Sequence, residues 1–360
     1  MLLKTMLICK ELLIVATSSH IPYLIGRCPV GGAVAMTPCC LTDRNSQELL
    51  VSCQIGDIEL RLFGTAERIH VPLCQPVIIA FRDEKPTVIW QAAPGLGKQA
   101  CRLRLVPDVW LCADVNRDSI VELLRIRSDS CYILSLANGF EHWRSTYLPG
   151  ARIVDAVCCD LNSDHFPELV SLELAPESSL THYLLRAWQL SQPECLPCFH
   201  AVPCLLPDTG LEISLLGAAR LEDYDGILPV IAGVFSSIRP SYYATLFTPT
   251  AESIVLTTNP FPWAQWFHKQ QVLPAGQLSL FNVGDTLVAW GFFVPGSRPS
   301  GPPRSFAALQ DGEWRLLRLK DEAIRMSGLV CRFNLRGCHG WLELRENVFY
   351  FYPQDPFIWR

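Results

Sequence analysis

Apolar residues along this chain fall in short runs, each ended by a cluster of Gly, Pro, Asn, Asp or Ser. Runs of that length bounded by turn residues read as β-strands, whereas a helix would repeat its apolar positions every three to four residues over a longer stretch. Such helical stretches are nearly absent, and 27 prolines scattered through the chain oppose helix further. No apolar run reaches the roughly 18 residues of a membrane span. The pattern predicts an all-β protein.

The strands recur in a repeat. Val109–Ile126 (VWLCADVNRDSIVELLRI) aligns without a gap on Asp155–Leu172 (DAVCCDLNSDHFPELVSL), 46 residues later. Each copy runs apolar strand, Asp-x-Asn-x-Asp, three residues, Glu, second apolar strand. Copies with weaker turns follow the same plan at Met36–Val51, Val77–Trp90, Leu215–Val230, Leu278–Trp290 and Leu329–Leu344, with a reduced one at Met6–Val15. A third strand is expected at Cys131–Leu136, Tyr183–Gln189 and Val348–Tyr352, and a fourth, outer one at Trp143–Leu148 and Phe357–Trp359.

The loops Asp114-Val-Asn116-Arg-Asp118 with Glu122, and Asp160-Leu-Asn162-Ser-Asp164 with Glu168, resemble those of FG-GAP/VCBS (integrin-α-like) repeats. The resemblance implies a β-propeller used for adhesion, ligand binding or complex assembly. Blades of roughly 40–50 residues fit seven or eight times into the chain. The expected architecture is therefore a single propeller domain over residues 1–360, with mostly four antiparallel strands per blade. Its expected blades are 31–73, 74–106, 107–150, 151–210, 211–272, 273–322 and 323–360. Residues 1–30 form an eighth or complete the C-terminal blade.

Oxygen ligands at positions 1, 3, 5 and 9 of a tight loop suit Ca²⁺. Asp114, Asn116, Asp118 and Glu122 supply one such set; Asp160, Asn162, Asp164 and Glu168 supply the other. Both loops have Ser119 or His165 where a glycine would ease the turn, and the competing reading is that Asp and Asn cap the turn through backbone amides. Cys195-x-x-Cys198 with His200 and Cys204 resembles a zinc ligand set, but lies among prolines that mark an extended loop. Gly95-Leu-Gly97-Lys98 is a fragment of a phosphate loop without its helix, and reads as a turn. Asn259–Phe267 (NPFPWAQWF) carries the candidate partner anchors Phe261, Trp263, Trp266 and Phe267, because exposed aromatics anchor interfaces; aromatic filling between blades is its alternative. Val294–Arg304 reads as a Pro/Gly/Ser-rich loop.

Composition narrows the function. Hydrophobic residues make up 49% of the chain and charged ones 18%, enough apolar surface for a large core. The net charge of −5 and the lack of a basic block argue against nucleic acid as a partner. Several of the sixteen cysteines, among them Cys39, Cys112, Cys158 and Cys331, sit inside apolar runs, where a thiol packs as a small hydrophobe. Free thiols point to an intracellular, reducing compartment, with secretion as the alternative. Lys10 and Glu11 divide the apolar stretch near the N-terminus, which reads as two strands rather than a secretory signal. No nucleophile–base arrangement is legible. The expectation is a non-catalytic scaffold with protein partners. A secreted Ca²⁺-stabilised lectin or adhesion propeller with a carbohydrate ligand, and an enzyme with its site on the propeller axis, are the alternatives.

Overall fold

The computed structural model describes residues 22–42, 47–61, 68–82, 85–97, 100, 105–136, 141–159, 164–174, 183–190 and 329–353. It also describes the strands between 194 and 319, and residues 357–358. All pairing is antiparallel, and the described strands gather into six sheets. Among the described residues no helix is long and apolar enough to cross a membrane.

Apart from a few edge strands, each sheet is a meander whose strands neighbour one another in chain order. The first described strand is β1 (Tyr23–Arg27). The first sheet holds β2 (Ala33–Cys39), β3 (Glu48–Arg61), β4 (Arg68–Arg82) and β5 (Lys85–Gln91), with the short β6 (Gly95–Leu96) on β4. The second holds β7 (Asp108–Ala113), β8 (Glu122–Arg127), β9 (Ser130–Ser135) and β10 (His142–Tyr147). In the third, β11 (Ile153–Cys159), β12 (Glu168–Leu174) and β13 (Tyr183–Gln189) carry β14 (Glu194–Cys195) and β15 (Val202–Pro203), both on β13. The fourth is β16 (Leu211–Ala218), β17 (Val230–Ser236), β18 (Tyr242–Pro249) and β19 (Ile254–Thr257). The fifth is β20 (Leu278–Val283), β21 (Thr286–Gly291), β22 (Ser305–Gln310) and β23 (Glu313–Leu319). The sixth comprises β24 (Leu329–Leu335), β25 (Cys338–Arg345) and β26 (Val348–Tyr352).

The two ends of the chain are exchanged between sheets. β1 pairs with β26, Tyr23 opposite Phe351 and Arg27 opposite Val348, so the N-terminal strand is the fourth strand of the sixth sheet. β27 (Phe357–Ile358), expected as that outer strand, instead pairs with β23 of the fifth sheet, Leu319 opposite Phe357. The place beside β26 is already taken by β1, which leaves β27 the next free edge. Within residues 1–30, β1 thus adds a strand to the sixth sheet, while Met6–Val15 lies outside the described residues.

Residues 31–106 were expected to form two units divided at 73/74. They form one sheet. The β4 ladder against β3 runs from Arg68 to Ala80 and crosses that division, with a one-residue bulge at Ile55 opposite Leu73 and Cys74. Val77–Trp90 is therefore a third-to-fourth strand hairpin, β4 to β5, whereas the remaining copies in the described region join first to second strands. This correction brings the count from seven or eight to six among the described residues.

Packing follows chain order. Strand β11 lies against both β7 and β16, β16 against β20, and β2 against β24. Side chains show the same adjacency. One apolar cluster joins Met36, Leu49, Val51 and Ile79 of the first sheet to Phe333, Leu342, Phe349 and Phe351 of the sixth. A second joins Leu41, Leu50 and Ile78 to Leu123 and Leu134 of the second sheet. A third joins Val109, Leu124 and Ile133 to Ile153, Leu169 and Trp188 of the third. Strand β12 is buried along its whole length, on both faces, as a strand sandwiched between neighbouring layers must be. Close approach shapes the backbone as well: Gly32 adopts φ 69° with its carbonyl accepting from Gln54 N at 2.8 Å, and a Cβ there would run into the Gln54 carbonyl.

Candidate functional site

The turn from β7 to β8 is the described member of the repeated loops. Short polar side chains bond the backbone a few residues on and so shape such turns themselves. Asp118 N donates to Asn116 Oδ1 at 2.9 Å, Ile120 N to Asp118 Oδ1 at 2.7 Å, and Ser119 N to Asp114 Oδ2 at 2.9 Å. Arg117 and Ser119 sit at φ 64° and 67°, and His165 in the next loop at 67°. Ser119 and His165 are the positions where a glycine was expected. The left-handed backbone is adopted without it, at roughly 1–2 kcal/mol each, and at Ser119 the Asp114 hydrogen bond offsets part of that.

Glu122 closes the turn from below. It is 2% exposed and accepts Val115 N on Oε2 at 3.0 Å and Asn116 Nδ2 on Oε1 at 2.7 Å. Burial raises its pKa above the usual carboxylate range; the Val115 hydrogen bond and Arg144 oppose this, while Asp118 and Asp114 add to it. Glu48 repeats the arrangement in the first sheet: 2% exposed, it accepts Leu41 N at 2.9 Å and the Thr42 hydroxyl at 2.5 Å. Glu168 is buried at the head of β12, the same position in the third sheet. In each case a glutamate opens the second strand, and in the first two sheets it holds the amide seven residues before it. Sequence reasoning missed Glu48, because the preceding loop lacks the Asp-x-Asn-x-Asp pattern. The signal was there in the eight-residue spacing Cys40–Glu48, equal to Asp114–Glu122 and Asp160–Glu168.

The three turns adjoin one another in succession. Val121 N donates to Cys40 O at 2.9 Å, tying the second turn to the first. Position 121 corresponds to Pro167 one repeat later, which has no N–H to donate. There the link is different: the Arg117 guanidinium stacks 3.4 Å above the Phe166 ring. Asp164 accepts Phe166 N at 2.7 Å. Asp160 and Asn162 lie outside the described residues, so only Asp164 and Glu168 of the second ligand set are placed.

Asp114, Asn116, Asp118 and Glu122 do meet in one loop. The Asn116 amide nitrogen stands between Asp118 Oδ2, at 3.1 Å, and Glu122 Oε1. Asp114 Oδ1 is buried without a hydrogen-bond partner. Among the described residues no three His, Cys, Asp or Glu side chains converge as a metal-binding group. The loop as folded is a hydrogen-bonded turn, and a Ca²⁺ ion in it would require the Asn116 amide to swing away from both carboxylates.

Buried polar chemistry also occurs within sheets. Glu173 of β12 is 0% exposed, paired with Arg186 Nη2 at 2.8 Å, and accepts the Ser171 hydroxyl at 2.5 Å and Trp188 Nε1 at 3.3 Å. Burial nonetheless raises its pKa, against the pull of Ser171, Arg186 and Trp188. Glu343 of β25, also 0% exposed, accepts Tyr352 Oη at 2.7 Å. Burial and Glu343 together push the Tyr352 hydroxyl pKa up.

The other sequence candidates divide. Gly95-Leu96 is strand β6 on β4, and Gly97 N donates to Pro72 O at 2.8 Å, so this segment is an edge strand. Cys195 lies in β14, while Cys198, His200 and Cys204 are outside the described residues, as are Phe261, Trp263, Trp266 and Phe267 and the loop 294–304. An exposed aromatic strip that sequence reasoning overlooked lies on the second sheet: Tyr147 57%, Trp143 48% and Tyr132 38% exposed. Compared with known proteins, the chain matches no family model and no curated protein.

Proposed function

We propose that the six sheets close into one β-propeller, and that the protein acts by presenting its loop face to protein partners as a scaffold or assembly subunit. The observation that carries this reading is the pairing of β1 with β26, which puts the first described strand into the last described sheet. Together with first-to-second, second-to-third and sixth-to-first sheet packing, it supports a ring in which each blade covers the face of the next. Sealing the last blade with the N-terminal strand makes opening the ring cost a full ladder of hydrogen bonds.

The resemblance to FG-GAP/VCBS repeats supports the same reading, because Glu122 and Glu168, which belong to the motif, open the second strands of consecutive sheets. Binding rather than catalysis is favoured by how those residues are used. Asp114, Asp118 and Glu122 are engaged with backbone amides and the Asn116 amide, which commits them to holding the turn. What the turns offer outward is Asn116, Arg117, Ser119, Asp164 and His165, all exposed, on rigidly held loops of the kind that carry recognition. The test is a double charge change, Arg117→Glu with His165→Glu, in the full-length protein. Partners captured by crosslinking to the wild type should be lost from the variant while the melting temperature stays within a few degrees. Retention of the same partners would refute the loop face as the binding surface.

A further inference from the structure

We propose that Cys39 and Cys112 form a reversible disulfide across the junction of the first and second sheets, making this pair a modification site for hydroperoxides. Cys39 ends β2 and Cys112 lies in β7, so the two belong to different sheets and are 73 positions apart. They pack in the same apolar cluster, and their thiols are within hydrogen-bonding reach of each other. Among the described cysteines several are buried hydrophobes; Cys331, for example, is 4% exposed inside an apolar cluster. Cys53 also has thiols nearby, Cys28 and Cys74, but Cys39 and Cys112 are the described pair whose thiols meet as hydrogen-bonding partners.

Their exposures assign the roles. Cys112 is partly open to solvent and Cys39 is 6% exposed, so a small oxidant meets Cys112 first. Burial, the Cys112 thiol and the Glu48 carboxylate all hold the Cys39 pKa well above its ordinary value, and this fits Cys39 as the slower, resolving thiol. In the first step the Cys112 sulfur attacks a peroxide oxygen: the O–O bond breaks, sulfur is oxidised to the sulfenic acid and one water leaves. In the second, the Cys39 sulfur attacks that sulfur: the S–S bond forms, the S–O bond breaks, and the hydroxide departs with the Cys39 proton as a second water. Two thiols and one hydroperoxide thus give one disulfide and two waters, or water and an alcohol from an organic hydroperoxide. A thiol reductant reverses it.

The consequence follows from position. Cys39 immediately precedes Cys40, whose carbonyl accepts Val121 N. Cys112 precedes the Asp114 turn by two residues. The bond would clamp the bases of two adjoining turns and close a long loop of chain, which raises stability chiefly by restricting the unfolded state.

The experiment treats the full-length protein with hydrogen peroxide, blocks remaining thiols with iodoacetamide and maps peptides without reduction. A crosslinked peptide pair carrying Cys39 and Cys112, lost on adding dithiothreitol, is the expected result, together with a rise of several degrees in melting temperature. Cys39→Ser should accumulate a dimedone-reactive sulfenic acid at Cys112 and lose the rise; Cys112→Ser should lose both. The proposal is overturned if Cys39 stays fully alkylatable after exposed Cys338 has been oxidised. It is also overturned if Cys112 pairs with a different cysteine. The wild-type peptide map decides the question by itself should either variant fail to fold.

Discussion

Glu122→Ala is the perturbation that most directly probes how the repeated turn is held. The carboxylate accepts two hydrogen bonds, from Val115 N at 3.0 Å and Asn116 Nδ2 at 2.7 Å, and Val115 is itself buried at 6% exposure. Truncation leaves the Val115 N–H without an acceptor, at about 1–3 kcal/mol, and removes a second, charge-assisted bond of similar size. Against this stands relief: the carboxylate is desolvated and repelled by Asp114 and Asp118. The net loss should be about 2–3 kcal/mol, read as a lower urea midpoint at constant m-value. Glu122→Gln keeps one carbonyl acceptor but turns an amide donor toward another donor, and should cost about 1 kcal/mol. Acid–base linkage distinguishes the two contributions. The folded pKa of Glu122 lies above its ordinary 4.5, so the folded state holds this proton more tightly than the unfolded chain does. Its favourable contribution is complete below 4.5 and is lost as pH rises through the folded value. The Gln variant has no such loss, so its deficit relative to wild type should shrink between pH 4.5 and pH 8. A deficit below 0.5 kcal/mol for the Ala variant, or equal deficits for Ala and Gln at every pH, would refute the account of the turn.

Three further outcomes are expected. Asp164→Ala removes the acceptor of Phe166 N and should lower the melting temperature equally with Ca²⁺ and with chelator; a loss confined to Ca²⁺ would establish metal binding at that loop instead. Ser119→Gly and His165→Gly relieve a φ of 67°, and each should be stabilising by about 0.5–1 kcal/mol in chemical denaturation. Arg186→Met strips the partner from buried Glu173 and should cost about 3–5 kcal/mol. Because the carboxyl can take up a proton, that cost should be larger at pH 8 than at pH 5; a pH-independent cost would mean that Glu173 is already neutral in the wild type.

Strand content, the polar turn at Asp114 and the Glu122/Glu168 equivalence were legible in the sequence because each rests on local chemistry. Apolar runs of strand length fix β8, β12 and β26 within a residue or two. Asp and Asn at alternate positions make a turn wherever they stand. Glu122 and Glu168 were legible as residues of interest, and Glu48 would have been, had spacing been weighed above loop composition. The structure decided what local pattern cannot, namely which strand pairs with which. Val77–Trp90 has the same run–turn–run text as a first-to-second strand hairpin, and only the pairing of β4 with β3 on both sides of 73/74 shows it to be the outer half of a sheet. β27 reads as the natural fourth strand after β26, yet a residue range more than 300 positions earlier occupies that edge. The closeness of Cys39 to Cys112 is likewise invisible in sequence, since it arises where two sheets pack together. Alternation and turn chemistry act over a few residues and are written in the chain. The choice among equally well-patterned edges is made by packing and by competition between distant strands, so it belongs to the tertiary structure.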